Sequence, residues 1–119
     1  MVRLISFDID GTLEVGAPPG VIPMSVLRRA SELGFLIGTC SDRLLLEQQR
    51  VWEGSGVAPH FTVVKQGLAV VRATFDAEHY LHIGDTEVDA MVAREAGFDF
   101  LHSLEDDVLA YLRALQLHP

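Results

Sequence analysis

Cysteine is nearly absent from this chain, with Cys40 alone among 119 residues. A single cysteine excludes an intramolecular disulfide and a cysteine-rich zinc site. Its place inside the apolar run from Phe35 to Cys40 reads as a small buried hydrophobe rather than a reactive thiol. Positive charge is scarce as well. Lys and Arg total 9 against 17 Asp and Glu, for a net charge of −8. A binder of nucleic acid or of anionic membranes needs a basic stripe, so neither partner is expected. No window reaches the ~18 consecutive apolar residues of a membrane span. Repeats, low-complexity tracts and linkers are lacking. The stretch from Met1 to Phe7 runs into Asp8 without a small-residue cleavage site, so a cytoplasmic location is expected.

What is present is a soluble globular balance, 49% hydrophobic and 22% charged, in a chain sized for a single domain spanning 1–119. Short apolar runs alternate with amphipathic stretches. Strands are expected at Val2–Phe7, Phe35–Cys40, Phe61–Val64, Tyr80–Ile83 and Phe98–Leu101. Helices are expected at Met24–Leu33, Leu44–Glu53, about 67–75 and Thr86–Ala96, the last opened by a capping box of Thr86 and Asp89. A final helix is expected from Ser103, with Ser103-x-x-Asp106 as its box and Val108, Leu109, Leu112 and Leu115 turned inward. The Leu44-Leu45-Leu46 run and Trp52 read as helix packing, and His82 as a satisfied histidine within its strand. His60, His79, His102 and His118 show no ligand spacing. Alternating strand and helix with apolar strands predicts an α/β fold, a three-layer Rossmann-like arrangement. A five-stranded parallel sheet would carry helices on both faces.

In such sheets ligands bind at the carboxyl ends of the strands. Those ends collect Asp8-Ile9-Asp10-Gly11-Thr12, Thr39-Cys40-Ser41-Asp42-Arg43, Lys65 and Gly84-Asp85-Thr86-Glu87-Val88-Asp89. Lys65 is the only lysine in the chain. Asp8 and Asp10 are two apart, and Gly11 predicts a turn that rotates the second carboxylate away from the first. Two carboxylates this close need a cation between them or a proton on one of them. A solvated turn or a calcium loop is the alternative for Asp-x-Asp-Gly, but the buried strand before it argues otherwise.

The stretch from Asp8 to Leu13 resembles the first motif of the haloacid dehalogenase-like (HAD) hydrolase superfamily, and the four motifs of that family appear in order. Ser41 resembles the second, Lys65 the third, and Gly84-Asp85-Thr86-Glu87-Val88-Asp89 the fourth. Gln66 departs from the commoner proline after the lysine. The resemblance implies a Mg²⁺-dependent phosphomonoester hydrolase in which Asp8 attacks phosphorus and Asp10 serves as general acid and then general base. It further implies that Ser41 and Lys65 hold the phosphoryl oxygens. Mg²⁺ would be held by the Asp8 carboxylate, the backbone carbonyl of Asp10 and the Asp85 side chain, with Asp89 positioning Lys65 or a metal-bound water. Ser41 could instead cap the helix near Leu44, and Asp89 could serve only its capping box. Arg43 would touch substrate or pair with nearby carboxylates.

Family members differ in the cap domains that cover the site. Only 12 residues lie between Thr12 and Ser25, and 23 between Ser41 and Lys65, room for a hairpin and for one helix with a strand. No cap domain is expected. A lidless site suits a bulky phosphorylated metabolite, a phosphoprotein, or a homo-oligomer whose neighbour covers it. A signalling receiver domain also joins an acidic pair, a lysine and Mg²⁺, but its phosphorylated aspartate closes the third strand. A catalytically inactive interaction module on the same fold would usually lack a motif residue, and none is missing.

Overall fold

The computed structural model describes residues 2–118. Its strands are β1 (Arg3–Phe7), β2 (Leu36–Cys40), β3 (Phe61–Val63), β4 (His79–Gly84) and β5 (Asp99–His102), all parallel in one sheet of order β3-β2-β1-β4-β5. Helices α1 (Met24–Glu32), α2 (Leu45–Glu53), α3 (Leu68–Thr74), α4 (Glu87–Ala96) and α5 (Val108–Ala114) fill the connections and the C-terminal end. The α/β architecture anticipated from alternation is the one observed. No helix among the described residues is long and apolar enough to cross a membrane.

Side-chain alternation along β1 divides the core into two layers. Ile5 and Phe7 pack with Ile37, Ile83 and the inner faces of α1 and α5, including Leu27 and Leu112. Leu4 points the other way, toward Leu68 and Val71 of α3 and Val92 and Ala93 of α4. Both sheet faces are therefore covered, which is why the strands are near-continuous apolar runs. Burying one such Leu, Ile or Phe side chain contributes about 1.5–3 kcal/mol.

This layering also locates a crevice. β1 and β4 are neighbours at the centre of the sheet, yet α1 leaves β1 toward one face and α4 leaves β4 toward the other. Where adjacent strands send their helices to opposite faces, the chain ends diverge and leave a cleft at their carboxyl edge. Asp8 follows β1 there, and Asp85 follows β4.

Four local expectations are corrected. The last helix begins at Val108, not Ser103, and is capped by Asp107, whose side chain accepts from the Ala110 amide at 3.1 Å. Ser103 is drawn away by a buried partner, donating its hydroxyl to the Gly11 carbonyl at 2.8 Å. Leu13 and Ile22 are joined by one parallel bridge rather than a hairpin, both fully buried as the chain loops back over Gly11. Lys65 opens a 3₁₀ turn, Lys65–Gly67, beyond the end of β3. Finally, Leu44, Leu45 and Leu46 are 70%, 47% and 59% exposed and do not pack. The inward residues of α2 are Gln48 and Trp52, one turn apart, and its first turn stands clear of the core.

Candidate functional site

The ladder between β1 and β4 runs one step past β1, with the Asp8 amide donating to the Ile83 carbonyl at 2.9 Å. That bond fixes the Asp8 backbone at the mouth of the cleft. The Ile9 amide donates to Asp8 Oδ1 at 2.8 Å. Two residues on, Gly11 adopts φ +73°, and a Cβ there would lie 2.0 Å from Asp85 Oδ2. Glycine is needed twice over: for the left-handed turn and for the approach of the Asp85 carboxylate to the backbone. Ser103 holds this turn from β5's end, accepting from the Thr12 hydroxyl at 3.2 Å while donating to Gly11.

Lys65 reaches the cleft from the 3₁₀ turn between β3 and α3 and is only 3% exposed. Its Nζ donates to Asp8 Oδ2 at 3.3 Å and to Asp89 Oδ1. Asp89, fully buried at the third position of α4, forms the expected capping box with Thr86. The Thr86 hydroxyl and amide donate to its Oδ2 at 2.8 and 3.2 Å, and His82 Nε2 contacts its Oδ1 at 2.8 Å. Four donors thus occupy the roughly four acceptor sites of one carboxylate.

The electrostatics follow from this sharing. Two buried carboxylates compete for one ammonium, and Asp89 has the better donors. Burial would raise Asp89, but His82 and Lys65 outweigh it and hold the carboxyl far below its usual range. Asp8 goes the other way: burial, and then the charge of Asp89, push it up to about 8, with Lys65 only partly offsetting them. Burial would lower Lys65, yet its carboxylate partners hold it above the ordinary lysine value. Burial keeps the His82 ring below its usual value, the Asp89 contact only partly opposing that. Cys40 is inert as expected, buried with its thiol pushed up to about 12.

Asp8, Asp85 and Asp89 offer oxygens within 4.8 Å of one another, a spacing that one metal ion can bridge. An all-oxygen donor set suits a hard divalent cation. Gly11, where any side chain would collide with Asp85, leaves the cradle open. Because Asp89 is saturated by its donors, Asp8 and Asp85 are the carboxylates with capacity to spare. The Asp10 side chain is not in this group.

Asp10 instead turns to Arg43, whose Nε and Nη2 fork its carboxylate at 3.2 and 2.7 Å, and it also accepts from the Ala17 amide at 2.8 Å. The guanidinium beside it holds the Asp10 carboxyl below the usual range. Ser41 is buried at the end of β2 and accepts from the Arg43 amide at 3.1 Å. It does not cap α2, which has no side-chain cap. The Ser41–Arg43 loop is held by Gln48, fully buried, whose amide donates to the carbonyls of Arg43 and Val63 at 3.1 Å each.

Of the residues singled out from sequence, Asp8, Lys65, Asp85 and Asp89 come together directly. Asp10 and Arg43 form a second pair at the rim, and Ser41 sits beneath Arg43. His82, Gln48 and Ser103 were missed as site-supporting residues. The signal for His82 was a polar residue inside a buried strand, yet its partner on α4 is visible only in three dimensions. Gly84 belongs to the site too, since a Cβ there would lie 2.2 Å from Asp89 Cγ. Gly84→Ala is expected to cost about 1–3 kcal/mol by overpacking and to displace Asp89 from Lys65; a melting curve matching wild type would contradict that contact. No protein-family model matches this chain, and no curated protein matches it.

Proposed function

We propose that this chain is a Mg²⁺-dependent phosphomonoester hydrolase of the HAD type, with Asp8 as nucleophile and Asp10 as general acid and base. The observation that carries the reading is the buried Lys65 ammonium bridging Asp8 and Asp89, two carboxylates that also have an Asp85 oxygen within 4.8 Å. A structural ion pair does not call for two carboxylates per ammonium. A site that must receive a second cation and a dianionic phosphoryl group does. The order of the strands supports a hydrolase over a receiver domain, because Asp8 closes the first strand, at the centre of the sheet.

Asp8 and Asp85 would hold Mg²⁺, with the Asp10 carbonyl as the further ligand that the resemblance implies. The ion would supply charge neutralisation at the phosphoryl oxygens and return Asp8 to its ionised, nucleophilic form. The Asp8 carboxylate attacks phosphorus, and the bond to the leaving oxygen breaks as that oxygen takes a proton from Asp10. Water then attacks the phosphoryl group on Asp8, Asp10 takes the water's proton, and inorganic phosphate leaves with Asp8 restored. Lys65, pinned by Asp89, faces the negative charge that grows on the transferring group. Ser41, next to the end of β2, would contribute a hydrogen bond to a phosphoryl oxygen, the role the resemblance implies.

Arg43 shapes the acid–base half. Its fork stabilises the ionised Asp10, which is the base form, so the acid step requires Arg43 to relax its hold. Arg43→Gln removes that hold, and Asp10 then keeps its proton to higher pH. The alkaline limb of the kcat/KM profile is expected to move upward; an unmoved limb would detach Asp10 from the acid role. The absence of room for a cap, with Leu44–Leu46 exposed beside Arg43, favours a bulky phosphorylated metabolite or a phosphoprotein.

The test is turnover of p-nitrophenyl phosphate and a panel of phosphate esters, with Mg²⁺ and with chelator. Metal-dependent release of phosphate is expected. A protein that hydrolyses none of them is not this enzyme. A phosphoryl adduct that persists for hours would point to a receiver domain instead.

A further inference from the structure

One fully buried polar pair has no part in the chemistry just described. Ser6 in β1 and His82 in β4 are register partners, both 0% exposed. The Ser6 hydroxyl lies 2.9 Å from His82 Nδ1, and His82 Nε2 lies 2.8 Å from Asp89 Oδ1. Other inward positions of β1 and β4 on either side are apolar: Leu4, Ile5, Phe7, Leu81 and Ile83. Apolar side chains would fill this place without the desolvation that a hydroxyl and an imidazole incur. The pair therefore needs a reason beyond packing.

The chemistry of the contacts sets their direction. An ionised carboxylate only accepts, so His82 Nε2 carries the ring proton toward Asp89. Nδ1 is then the acceptor, and the Ser6 hydroxyl donates to it. The chain of donors runs from Ser6 to His82 to Asp89 Oδ1, and the same oxygen receives Lys65, which also reaches Asp8. Thr86 anchors only Oδ2. Among the described residues, His82 is thus the one group besides Lys65 that hydrogen-bonds Oδ1.

We propose that His82, oriented by Ser6, is a positioning residue that aims Asp89 at Lys65 and so sets the ammonium against Asp8. The proposal rests on the phosphatase reading for its effect on rate, but the positioning itself is measurable without turnover. Lys65 is the only lysine in the chain, so lysine labelled with ¹³C and ¹⁵N yields a single side-chain Cε–Nζ signal that reports this contact alone.

The experiment compares wild type, Ser6→Ala, His82→Gln and His82→Leu. Glutamine can place an amide N–H near the Nε2 position, whereas leucine fills the space without a donor. In wild type the histidine ¹⁵N spectrum should show His82 as the Nε2–H tautomer. His82→Leu should shift the Lys65 signal and lower kcat on p-nitrophenyl phosphate by roughly 10–100-fold, as losing a supporting hydrogen bond does elsewhere, with a much smaller change in KM. His82→Gln should restore both the signal and most of kcat. Ser6→Ala should give a smaller loss and a mixed tautomer.

The proposal is overturned if the Lys65 signal in His82→Leu matches wild type, or if glutamine fares no better than leucine. An Nδ1–H tautomer in wild type would also overturn it. A lower melting temperature in His82→Leu with kcat and the Lys65 signal unchanged would reduce the pair to packing. If wild type hydrolyses nothing while the Lys65 signal responds to His82 as described, the phosphatase reading fails and the positioning stands.

Discussion

Asp8→Asn is expected to abolish hydrolysis, by roughly 10⁴-fold or more, while making the metal-free protein more stable. The two effects have one origin. Asp8 is buried beside Asp89, and the pair shares a single ammonium. Its carboxyl is pushed from 3.8 to about 8, so the folded state binds a proton that the unfolded chain gives up. A group raised in this way weakens the fold as pH climbs between those two values, since the unfolded state is the better acid there. Asparagine lacks the proton and the penalty. The variant's advantage should be close to zero at pH 4 and grow up to pH 8. A Tm higher by roughly 5–10 °C is expected there, a few kcal/mol for a domain of this size. Mg²⁺ should narrow the gap, because a cation at Asp8 and Asp85 relieves the same repulsion in wild type. Thermal melts at pH 5 and pH 8, with and without Mg²⁺, measure all of this. An asparagine variant less stable than wild type at pH 8 without metal would refute the assigned electrostatics, and one that retains turnover would remove Asp8 as nucleophile.

Lys65→Met should be harmful on both counts. Lys65 is 3% exposed and partners two carboxylates, so its removal leaves the buried Asp89 carboxylate without its ammonium and drives Asp8, already pushed up to about 8, further toward its protonated form. Breaking a buried pair in this way costs about 3–5 kcal/mol. The loss should be largest at alkaline pH and shrink in acid, where the carboxylates can take up protons. Turnover should fall roughly 10²–10³-fold, as when one preorganised group facing the developing charge is deleted. Mg²⁺ is expected to raise the Tm of this variant more than that of wild type without restoring turnover. A cation at Asp85 relieves repulsion but does not stand where the ammonium stood. The check is a Mg²⁺ titration followed by melting temperature and by phosphate release in parallel. Recovery of turnover with Mg²⁺ would show that Lys65 acts only by offsetting charge.

How far the site was legible in advance depended on how each residue is held. Asp8 and Asp85 stand next to strand ends, so placing the strands placed them. Thr86 and Asp89 announce their helix start through a contact only three residues long. Ser103-x-x-Asp106 has the same local pattern, yet Ser103 serves Gly11, 92 residues away in the chain. A capping pattern states what a side chain can do, and a competing buried acceptor decides whether it does it. Leu44–Leu46 misled for a related reason: three leucines predict burial, but whether a neighbour lies over a helix's first turn is not written in that turn.

The fold class belongs to the sequence alone, because period and apolar runs are set by neighbours a few residues apart and a parallel sheet is the way to bury such strands on both faces. The list of acidic and basic residues at the strand ends belongs to it as well. The division of labour among them was decided only by tertiary structure. Asp89 spends its oxygens on Thr86, His82 and Lys65, whereas Asp85 lies open over Gly11, and Asp10 turns to Arg43 rather than to Asp8. Those differences arise from which donors lie within about 3 Å of each carboxylate. Strand order and side-chain direction set that distance, and in a chain of separate segments it exists only once the sheet has formed.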